Sequence, residues 1–323
     1  MQALCFRQFG GPDVLNLEEV PEPEQLPGHA LVRMKAIGLN FADIYRRKGN
    51  YHLAGKPPWI AGYEGAGLID AIGGDCPDGL KIGDRVAFAD VPYANAELVA
   101  VPFEKMIPLP ESISFETAAG LLLQGLTAQY LARDSHRLKA GEEVLIHAAA
   151  GGVGLLLVQI SKRLGARVLG LVSSEAKRQA AMQAGADEVI LYSENWIEAV
   201  HRFSASGTGV DVAYDSVGST LRQSLDALHV GGHAVFFGMA GGDPQPLEPR
   251  YLMDTSKTLT GGDLWNILTT REERLRRADE LFEWVLNGTL KLRIAATFPL
   301  SEGSAAHAFL EGRSAIGKVL LIP

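Results

Sequence analysis

The chain has 323 residues, of which 47% are hydrophobic and 21% charged, a composition typical of a globular protein with two domains and a sizeable core. Its net charge of −8 argues against nucleic acid or an anionic membrane as the main partner. No apolar run reaches the length of a membrane span, and no signal peptide precedes the first strand-like segment, so we expect a cytoplasmic protein. Two cysteines, Cys5 and Cys76, cannot supply a disulfide framework or a four-cysteine zinc site.

Residues 1–122 are predicted to form a β-rich domain. Short apolar segments alternate there with Gly/Pro-rich turns, a pattern typical of a partly open β-barrel. The predicted strands are Ala3–Phe6, Leu15–Glu19, His29–Ile37, Glu64–Ile72, Asp84–Ala87 and Ala96–Val101. Ser114 is the predicted N-cap of the first helical stretch.

Residues 123–266 are predicted to form a second domain, with a doubly wound parallel sheet, because strands and helices alternate from Glu143 onward. The predicted strands are Val144–His147, Arg167–Val172, Glu188–Leu191, Val210–Asp215, His233–Phe237 and a sixth at Thr258–Thr260. The predicted helices lie near 153–164, 175–184, 195–204 and 219–229. Residues 267–323 begin with a long helix, Arg271–Leu286, continue with β-type sequence over 291–323, and are expected to return to the first domain.

A glycine-rich turn follows the first strand of this second domain. It reads Ala149-x-Gly151-x-x-Gly154 and opens a helix, the setting in which such a fingerprint indicates dinucleotide binding. Gly151 and Gly152 keep Cβ atoms away from a pyrophosphate, Gly154 allows close packing of helix and strand, and the helix N-terminus attracts the anion.

The residues after the second strand indicate which dinucleotide is bound. An NAD site usually has an acidic residue there, whereas this chain has Ser173 and Ser174, followed by Lys177. Hydroxyl donors and a cation suit a 2′-phosphate, so we predict NADPH rather than NADH. Glu175 would repel the phosphate unless it lies in the first helical turn, and Lys177 has an alternative interpretation as an exposed helix lysine. Tyr192, after the third strand, is a further candidate for the adenosine phosphate.

Several segments along the whole chain together resemble one family. They are Gly38–Tyr45, Gly62–Gly67, Gly83–Val86, Gly125–Ala128, Ala148–Gly154, Tyr214–Gly218 and Leu320–Pro323. In these segments the chain resembles the zinc-independent quinone oxidoreductases, the zeta-crystallin branch of the medium-chain dehydrogenase/reductase superfamily. The resemblance implies a GroES-like catalytic domain, a Rossmann domain and NADPH-dependent quinone reduction in the cleft between them. It also implies a homodimer, with Thr258–Gly262 as a candidate edge for sheet pairing.

The chain differs from the zinc-dependent relatives at their ligand positions. Asn40 stands where those enzymes have a cysteine ligand, and Tyr63 stands where they have a histidine ligand before Glu64. Their cysteine-rich structural-zinc lobe is also missing. We therefore expect no metal site.

The resemblance implies the following cofactor contacts, position by position. Phe41 and Tyr45 would approach the nicotinamide, with Thr127 and Tyr130 nearby. Gly151, Gly152 and Val153 would meet the pyrophosphate, and Ser173, Ser174, Lys177 and Tyr192 would hold the adenosine phosphate. Val217, Phe237, Gly238, Leu264 and Arg313 would line or close the groove.

A quinone accepts hydride readily, so neutral donors can stabilise its oxygen, and Asn40 and Tyr45 are the candidates. Asn40 has an alternative interpretation as a turn residue and Tyr45 as a packed aromatic residue. Asp43, the third candidate in the catalytic segment, is interpreted as a helix N-cap or a brace of the cofactor loop rather than a general acid. His147 is interpreted as a core histidine with satisfied hydrogen bonds.

Two other functions are weighed against quinone reduction. The first keeps NADPH but reduces an α,β-unsaturated aldehyde or ketone. The second is non-enzymatic, an RNA-binding, structural or NADPH-sensing role. The net charge and the lack of a basic-aromatic run argue against RNA binding.

Overall fold

The strands of this chain form three sheets, and each sheet lies within one of two units. The computed structural model describes residues 1–323. Unit 1 comprises residues 1–123 and 268–323, and unit 2 comprises residues 124–267. No helix combines the length and the apolar character needed to cross a bilayer.

Unit 1 is built mainly from antiparallel strands. Its first strands are β1 (Gln2–Phe6), β2 (Asn16–Glu19), β3 (His29–Leu39), β4 (Trp59–Ile60), β5 (Glu64–Ile72), β6 (Arg85–Ala89), β7 (Leu98–Pro102) and β8 (Met106–Pro108), and its last are β15 (Ile294–Pro299) and β16 (Lys318–Ile322). Strands β2, β1 and β4 form a small sheet, and the other seven form a larger one in which β3 pairs with β5, β7 and β16. The larger sheet corresponds to the expected GroES-like domain.

The last strand of the chain, β16, pairs with β3 in the N-terminal part of unit 1. The pairing is antiparallel, with Val319 opposite Leu39 and Leu320 opposite Gly38. The start of β16 therefore lies beside the end of β3, where the motif beginning at Gly38 runs into the first helix.

Unit 2 contains a six-stranded parallel sheet. Its strands are β9 (Glu143–Ile146), β10 (Arg167–Val172), β11 (Glu188–Leu191), β12 (Val210–Asp215), β13 (Leu228–Phe236) and β14 (Thr258–Gly261). They lie in the order β11-β10-β9-β12-β13-β14, which is the 3-2-1-4-5-6 order of the Rossmann fold. Every residue of the central strand β9 is buried, as expected of a strand covered on both faces. This arrangement confirms the predicted doubly wound parallel sheet.

Nine α-helices connect and cover the sheets. They are α1 (Phe41–Lys48), α2 (Phe115–Tyr130), α3 (Gly152–Arg163), α4 (Glu175–Gln183), α5 (Trp196–Phe203), α6 (Leu221–Asp226), α7 (Pro249–Thr255), α8 (Arg271–Leu286) and α9 (Gly303–Glu311). Ser114 caps α2 by accepting the Thr117 N–H at 3.1 Å, and Thr270 caps α8 by accepting the Glu273 N–H at 3.3 Å. In α5, Trp196, Ala199, Val200 and Phe203 form one buried face at helical spacing.

The segments that differ from the sequence-based prediction include the following three. The helix predicted over 219–229 ends at Asp226, because Leu228 already begins β13. The β-type sequence predicted over 291–323 is interrupted by α9, whose Ala306, His307 and Leu310 form a buried helical face. Helix α1 was given no bounds in the prediction and was implied only by the interpretation of Asp43 as a helix N-cap, although Asn40 and Asp43 have the spacing of a capping pair.

Candidate functional site

The turn between β9 and α3 has the geometry of a dinucleotide-binding turn. Ala148 has a positive φ of 48°, and Gly151 is the N-cap of α3. A Cβ on Gly154 would overlap the Ala148 carbonyl oxygen and lie 2.8 Å from the Ala149 Cα, so only glycine lets α3 begin this close to the turn. A Cβ on Gly152 would overlap the Gln124 side chain. Because glycine precedes Val153 at both 151 and 152, the first turn of α3 fits close approach by a pyrophosphate.

Ser173, Ser174 and Lys177 lie together after β10. Both serines are exposed, and Ser174 is the N-cap of α4. The Lys177 ammonium donates to Ser173 Oγ at 3.0 Å, which places a cation beside hydroxyl donors, as a phosphate requires. Glu175 lies in the first turn of α4 and pairs with Arg178 at 3.2 Å. The negative charge of Glu175 is therefore compensated by the guanidinium of Arg178.

Tyr192 connects the glycine turn to the third strand of unit 2. Its hydroxyl accepts the Ala148 N–H at 3.0 Å and lies 3.2 Å from Nδ1 of His147. His147 follows β9 and is buried, with hydrogen-bonding neighbours at both ring nitrogens. The interpretation of His147 as a satisfied core residue agrees with these contacts.

Val217, Phe237 and Gly238 follow the carboxyl ends of the neighbouring strands β12 and β13. Asp215 organises both segments. Its Oδ1 accepts the N–H groups of Val217 at 2.8 Å and Gly218 at 2.9 Å, while its carbonyl oxygen accepts the Phe237 N–H at 2.9 Å. Ligands of doubly wound sheets bind at this edge.

The other residues expected near the cofactor in unit 2 lie on or after helices. Thr127 and Tyr130 are on α2, and Leu264 begins a short 3₁₀ helix. Tyr130 and Leu264 are buried, whereas Thr127 is half-buried. Burial raises the pKa of the Tyr130 phenol, so this residue stays neutral.

Asn40 lies at the centre of a buried polar cluster in unit 1. It is only 5% exposed, and its Nδ2 donates to Glu64 Oε2 at 2.9 Å and to the Gly38 carbonyl at 3.2 Å. Its Oδ1 accepts the Lys318 ammonium at 2.8 Å, and Lys318 also donates to Glu64 Oε2 at 2.6 Å. Glu64 Oε1 accepts the Leu123 N–H at 2.6 Å. The Asn40 side chain thus connects two buried opposite charges.

Asp43 closes the first turn of α1. The prediction that Asp43 is the N-cap is wrong, because Asn40 is the N-cap and Asp43 is the third helical residue of a capping box. Asp43 Oδ2 accepts the Asn40 N–H at 2.9 Å, and Oδ1 accepts from Arg46 at 3.3 Å. Burial raises the pKa of Asp43, with Arg46 opposing the change. The predicted bracing role of Asp43 fits these contacts.

Tyr45 and Phe41 lie on the same helix, beside a group of aromatic side chains. Both are half-buried, and Tyr45 packs edge-on against Tyr51 with ring centroids 6.2 Å apart. The Arg46 guanidinium lies 3.4 Å from the centre of the Tyr63 ring and 5.2 Å from that of Tyr51, a cation–π arrangement. This segment therefore groups aromatic side chains around one buried cation, which also pairs with Asp43.

Arg313, the last predicted contact, is exposed and follows α9 in unit 1. It has a φ of 56°, and its N–H donates to the Leu310 carbonyl at 3.1 Å.

No group of three or more His, Cys, Asp or Glu side chains in residues 1–323 is arranged to hold a metal ion.

Sequence reasoning missed Lys318, Arg46 and Asp215 as organising residues. The sequence did contain one indication of the role of Lys318. A lysine that begins the apolar run Lys318–Ile322 needs an acidic partner if the strand is buried. Nothing local identified Glu64 as that partner, because the two are 254 positions apart.

Comparison with known proteins agrees with this geometry. Residues 26–140 match the alcohol dehydrogenase GroES-like domain, and residues 152–283 match a family described as zinc-binding dehydrogenase. The chain is 41% identical to the quinone oxidoreductase of Pseudomonas aeruginosa over 98% of both chains. It is 38% identical to the 2-haloacrylate reductase of a Burkholderia species over 100% of this chain and 99% of that one.

A solved structure gives the same result in three dimensions. The Escherichia coli quinone oxidoreductase in complex with NADPH superposes with a TM-score of 0.96 at 37% identity, covering 100% of both chains. Similarity of this extent covers both units together with their cofactor and catalytic segments. The chain therefore belongs to the zinc-independent quinone oxidoreductases of the medium-chain dehydrogenase/reductase superfamily.

Proposed function

We propose that this protein is an NADPH-dependent quinone reductase. The observation that carries the proposal is the Lys177–Ser173 contact of 3.0 Å after β10, at the place where an NAD-binding domain has an acidic side chain. The quinone oxidoreductases of P. aeruginosa and E. coli support the same activity, since their names specify quinones and the E. coli structure contains NADPH.

Unit 2 would hold the cofactor through three turns. Gly151, Gly152 and Val153 would receive the pyrophosphate, Ser173, Ser174 and Lys177 the 2′-phosphate, and the segments after β12 and β13 the nicotinamide side. When bound, NADPH supplies the hydride, and the quinone takes up this hydride and a proton. The contribution of the chain is to position the reactants and to stabilise charge on the acceptor oxygen.

Tyr45 is our candidate for the donor to that oxygen, because it is half-buried at the aromatic group that includes Tyr51. Asn40 and Asp43 would act mainly as positioning residues. The Asn40 amide already bonds to Glu64, Gly38 and Lys318, and Asp43 holds the first turn of α1. Both would orient the helix that presents Tyr45.

Reduction of an activated alkene is the second candidate activity. It is favoured by the identity to the Burkholderia 2-haloacrylate reductase, whose name specifies an unsaturated carboxylate. The same hydride donor and the same Tyr45 hydroxyl would serve a conjugated carbonyl compound. The relative rates of reduction of a quinone and of a conjugated carbonyl compound distinguish the two activities.

We further infer a homodimer located in the cytoplasm. Strand β14 (Thr258–Gly261) is at the edge of the unit 2 sheet and pairs only with β13, and such an edge favours pairing with a second copy. The free thiols of Cys5 and Cys76 suit a reducing compartment. A monomeric mass by light scattering at micromolar concentration would contradict the dimer.

The test of the cofactor proposal compares initial rates with NADPH and NADH in wild type, Lys177→Ala and Lys139→Ala, with 1,4-benzoquinone as acceptor and a chelator present. Removing one charge-assisted hydrogen bond costs about 1.5–3 kcal/mol, so Lys177→Ala should raise KM for NADPH roughly tenfold or more and leave NADH unaffected. Lys139 is an exposed lysine that precedes the amino end of β9, whereas Lys177 follows the carboxyl end of β10. The Lys139→Ala variant should therefore match wild type. Equal use of both cofactors by wild type would refute the 2′-phosphate site.

A further inference from the structure

Arg46 is a buried cation in the helix that presents Tyr45. It is 6% exposed, and a guanidinium removed from water needs a counter-charge and hydrogen-bond acceptors. Its Nη1 donates to Asp43 Oδ1 at 3.3 Å, and its Nε donates to the carbonyl oxygen of His52 at 2.9 Å. Asp43 belongs to the same helix, whereas His52 lies beyond the end of that helix. Arg46 therefore ties α1 to the segment that follows it.

Tyr63 covers the guanidinium of Arg46 and bonds to the same segment. It is 7% exposed, and its ring centre lies 3.4 Å from the Arg46 guanidinium carbon, a favourable cation–π contact. The Tyr63 hydroxyl accepts the Ala54 N–H at 3.1 Å. The two stacked side chains thus hold the backbone of this segment at His52 and at Ala54.

The backbone between α1 and β4 depends on these two contacts. Residues 52–58 contain no helix or strand, and none of their N–H or C=O groups pairs with another backbone group. Their backbone makes two intramolecular hydrogen bonds, one with Arg46 and one with Tyr63. A segment with so few bonds opens at little cost in free energy, so these two side chains determine where it lies.

Tyr51 joins this segment to the candidate donor. Its ring packs edge-on against Tyr45 with centroids 6.2 Å apart, and its ring centre lies 5.2 Å from the Arg46 guanidinium carbon. The rings of Tyr51 and its neighbour His52 have centroids 5.0 Å apart. A displacement of His52 would therefore move the aromatic ring that packs beside Tyr45.

We propose that Arg46, together with Tyr63, is a positioning residue that holds the acceptor loop (residues 51–56) beside Tyr45 and so determines which acceptors are reduced. Arg46 acts through Tyr51 and not on the reacting atoms. A planar guanidinium suits this role better than an ammonium, because it stacks on an aromatic ring while its edge donates in two directions. The inference rests on the proposed function, in which Tyr45 donates to the acceptor oxygen.

The experiment compares wild type with Arg46→Met and Tyr63→Phe. Arg46→Met keeps the aliphatic stem but leaves the buried Asp43 without its cation, which lowers stability as well. Tyr63→Phe keeps the ring over the guanidinium and removes only the hydroxyl that holds Ala54, so it tests the loop alone.

Four quantities are measured for every variant. They are kcat and KM with NADPH and either 1,4-benzoquinone or the three-ring 9,10-phenanthrenequinone, the dissociation constant of NADPH, the rate of chymotrypsin cleavage after Tyr51 and Leu53 by mass spectrometry, and the melting temperature.

Two matched controls remove the same chemical groups elsewhere. Arg85→Met removes a guanidinium that also lies over a ring, 4.3 Å from the centre of Phe115, and that donates to the Ile113 carbonyl. Tyr251→Phe removes a hydroxyl bonded to Asp226 at 2.6 Å in unit 2. Both controls should match wild type in cleavage of the acceptor loop and in the ratio of kcat/KM for the two quinones.

We expect Tyr63→Phe to speed cleavage of the acceptor loop about 3- to 10-fold, the value of one ordinary hydrogen bond, and Arg46→Met to speed it roughly tenfold or more, because a charged donor is lost. Both variants should raise KM for 1,4-benzoquinone by similar factors and leave the dissociation constant of NADPH unchanged. The kcat/KM for 1,4-benzoquinone should fall more than that for 9,10-phenanthrenequinone, because a one-ring acceptor has less apolar surface to bury elsewhere.

Lower melting temperatures with wild-type cleavage rates and a wild-type ratio of kcat/KM for the two quinones would mean that Arg46 and Tyr63 are only structural, and would overturn the proposal. Equal losses with both quinones, or weaker NADPH binding by Tyr63→Phe, would also overturn it, since the loop would not then select the acceptor.

Wild-type activity separates this inference from the proposed function. If wild type reduces neither quinone, the proposed function is wrong and the acceptor role of the loop falls with it, even where cleavage shows that Arg46 and Tyr63 hold the segment. If wild type reduces quinones while both variants keep its ratio of kcat/KM values, only the positioning role of Arg46 fails.

Discussion

Removal of the Lys318 ammonium should cost this fold several kcal/mol. Lys318 is 1% exposed and Glu64 is 0% exposed, and they are 2.6 Å apart. Lys318→Met leaves the Glu64 carboxylate buried without its cation, and breaking a buried pair in this way costs about 3–5 kcal/mol. At roughly 2–4 °C per kcal/mol for a unit of this size, the melting temperature should fall by roughly 6–20 °C.

The double variant Glu64→Gln with Lys318→Met tests the cause of this loss. A glutamine keeps an oxygen for the Leu123 N–H, and the Asn40 amide can turn so that its oxygen faces the new amide group. Replacing both charges removes the desolvated carboxylate, so most of the lost stability should return. The exposed pair Arg33–Asp70, 2.9 Å apart with side chains 46% and 40% exposed, is the control. Arg33→Met should cost at most about 1 kcal/mol.

The assay is guanidinium unfolding followed by circular dichroism, with activity measured on each folded variant. A cost for Lys318→Met no larger than that for Arg33→Met would refute the buried-pair reasoning. So would a double variant less stable than both single variants. Because Asn40 bonds to both charges, Lys318→Met should also lower kcat more than it raises KM for NADPH.

Three further predictions concern glycine packing, the acceptor site and pH. Gly154→Ala should destabilise unit 2 by about 1–3 kcal/mol and weaken NADPH binding, because the new methyl group meets the backbone of Ala148 and Ala149; unchanged NADPH titrations would contradict the tight turn. Tyr45→Phe should lower kcat roughly 10- to 100-fold with quinone and leave the dissociation constant of NADPH unchanged, which steady-state rates and direct titration will check together. Burial, reinforced by Arg47, lowers the pKa of His307 from 6.5 to about 3, so between these values the unfolded chain binds a proton that the folded chain does not. Stability should therefore fall as pH falls below 6.5, with a contribution approaching about 1.4 kcal/mol per pH unit, and His307→Gln should show a shallower decline in urea unfolding between about pH 6 and pH 4.

The fold could be predicted from the sequence where short stretches of residues specify an element. The strands of unit 2 are short apolar runs that end in polar or glycine residues, and Gly151 and Gly154 mark the first turn of the Rossmann domain. Helix α8 was predicted with its observed bounds because an amphipathic pattern starts directly after Thr270, its N-cap.

The candidate functional site could be predicted only in part, because the contacts that organise it join residues far apart in the sequence. Lys318 meets Asn40 across 278 positions, and His147 meets Ser224 across 77. Such pairs depend on sheet register, which no local pattern specifies. The same limit explains why the sequence offered Asn40 as a donor without showing that its amide bonds to Glu64, Gly38 and Lys318.

The most direct test of the proposed activity is the kcat/KM of the wild-type protein for a quinone and for an α,β-unsaturated ketone, each with NADPH and with NADH. We predict that 1,4-benzoquinone with NADPH gives the highest value, and that NADH lowers it by about tenfold or more, as expected if Ser173 and Lys177, which lie 3.0 Å apart, bind the 2′-phosphate. Turnover of the ketone without turnover of the quinone would contradict the proposed activity, and equal values with both cofactors would contradict the assigned 2′-phosphate site.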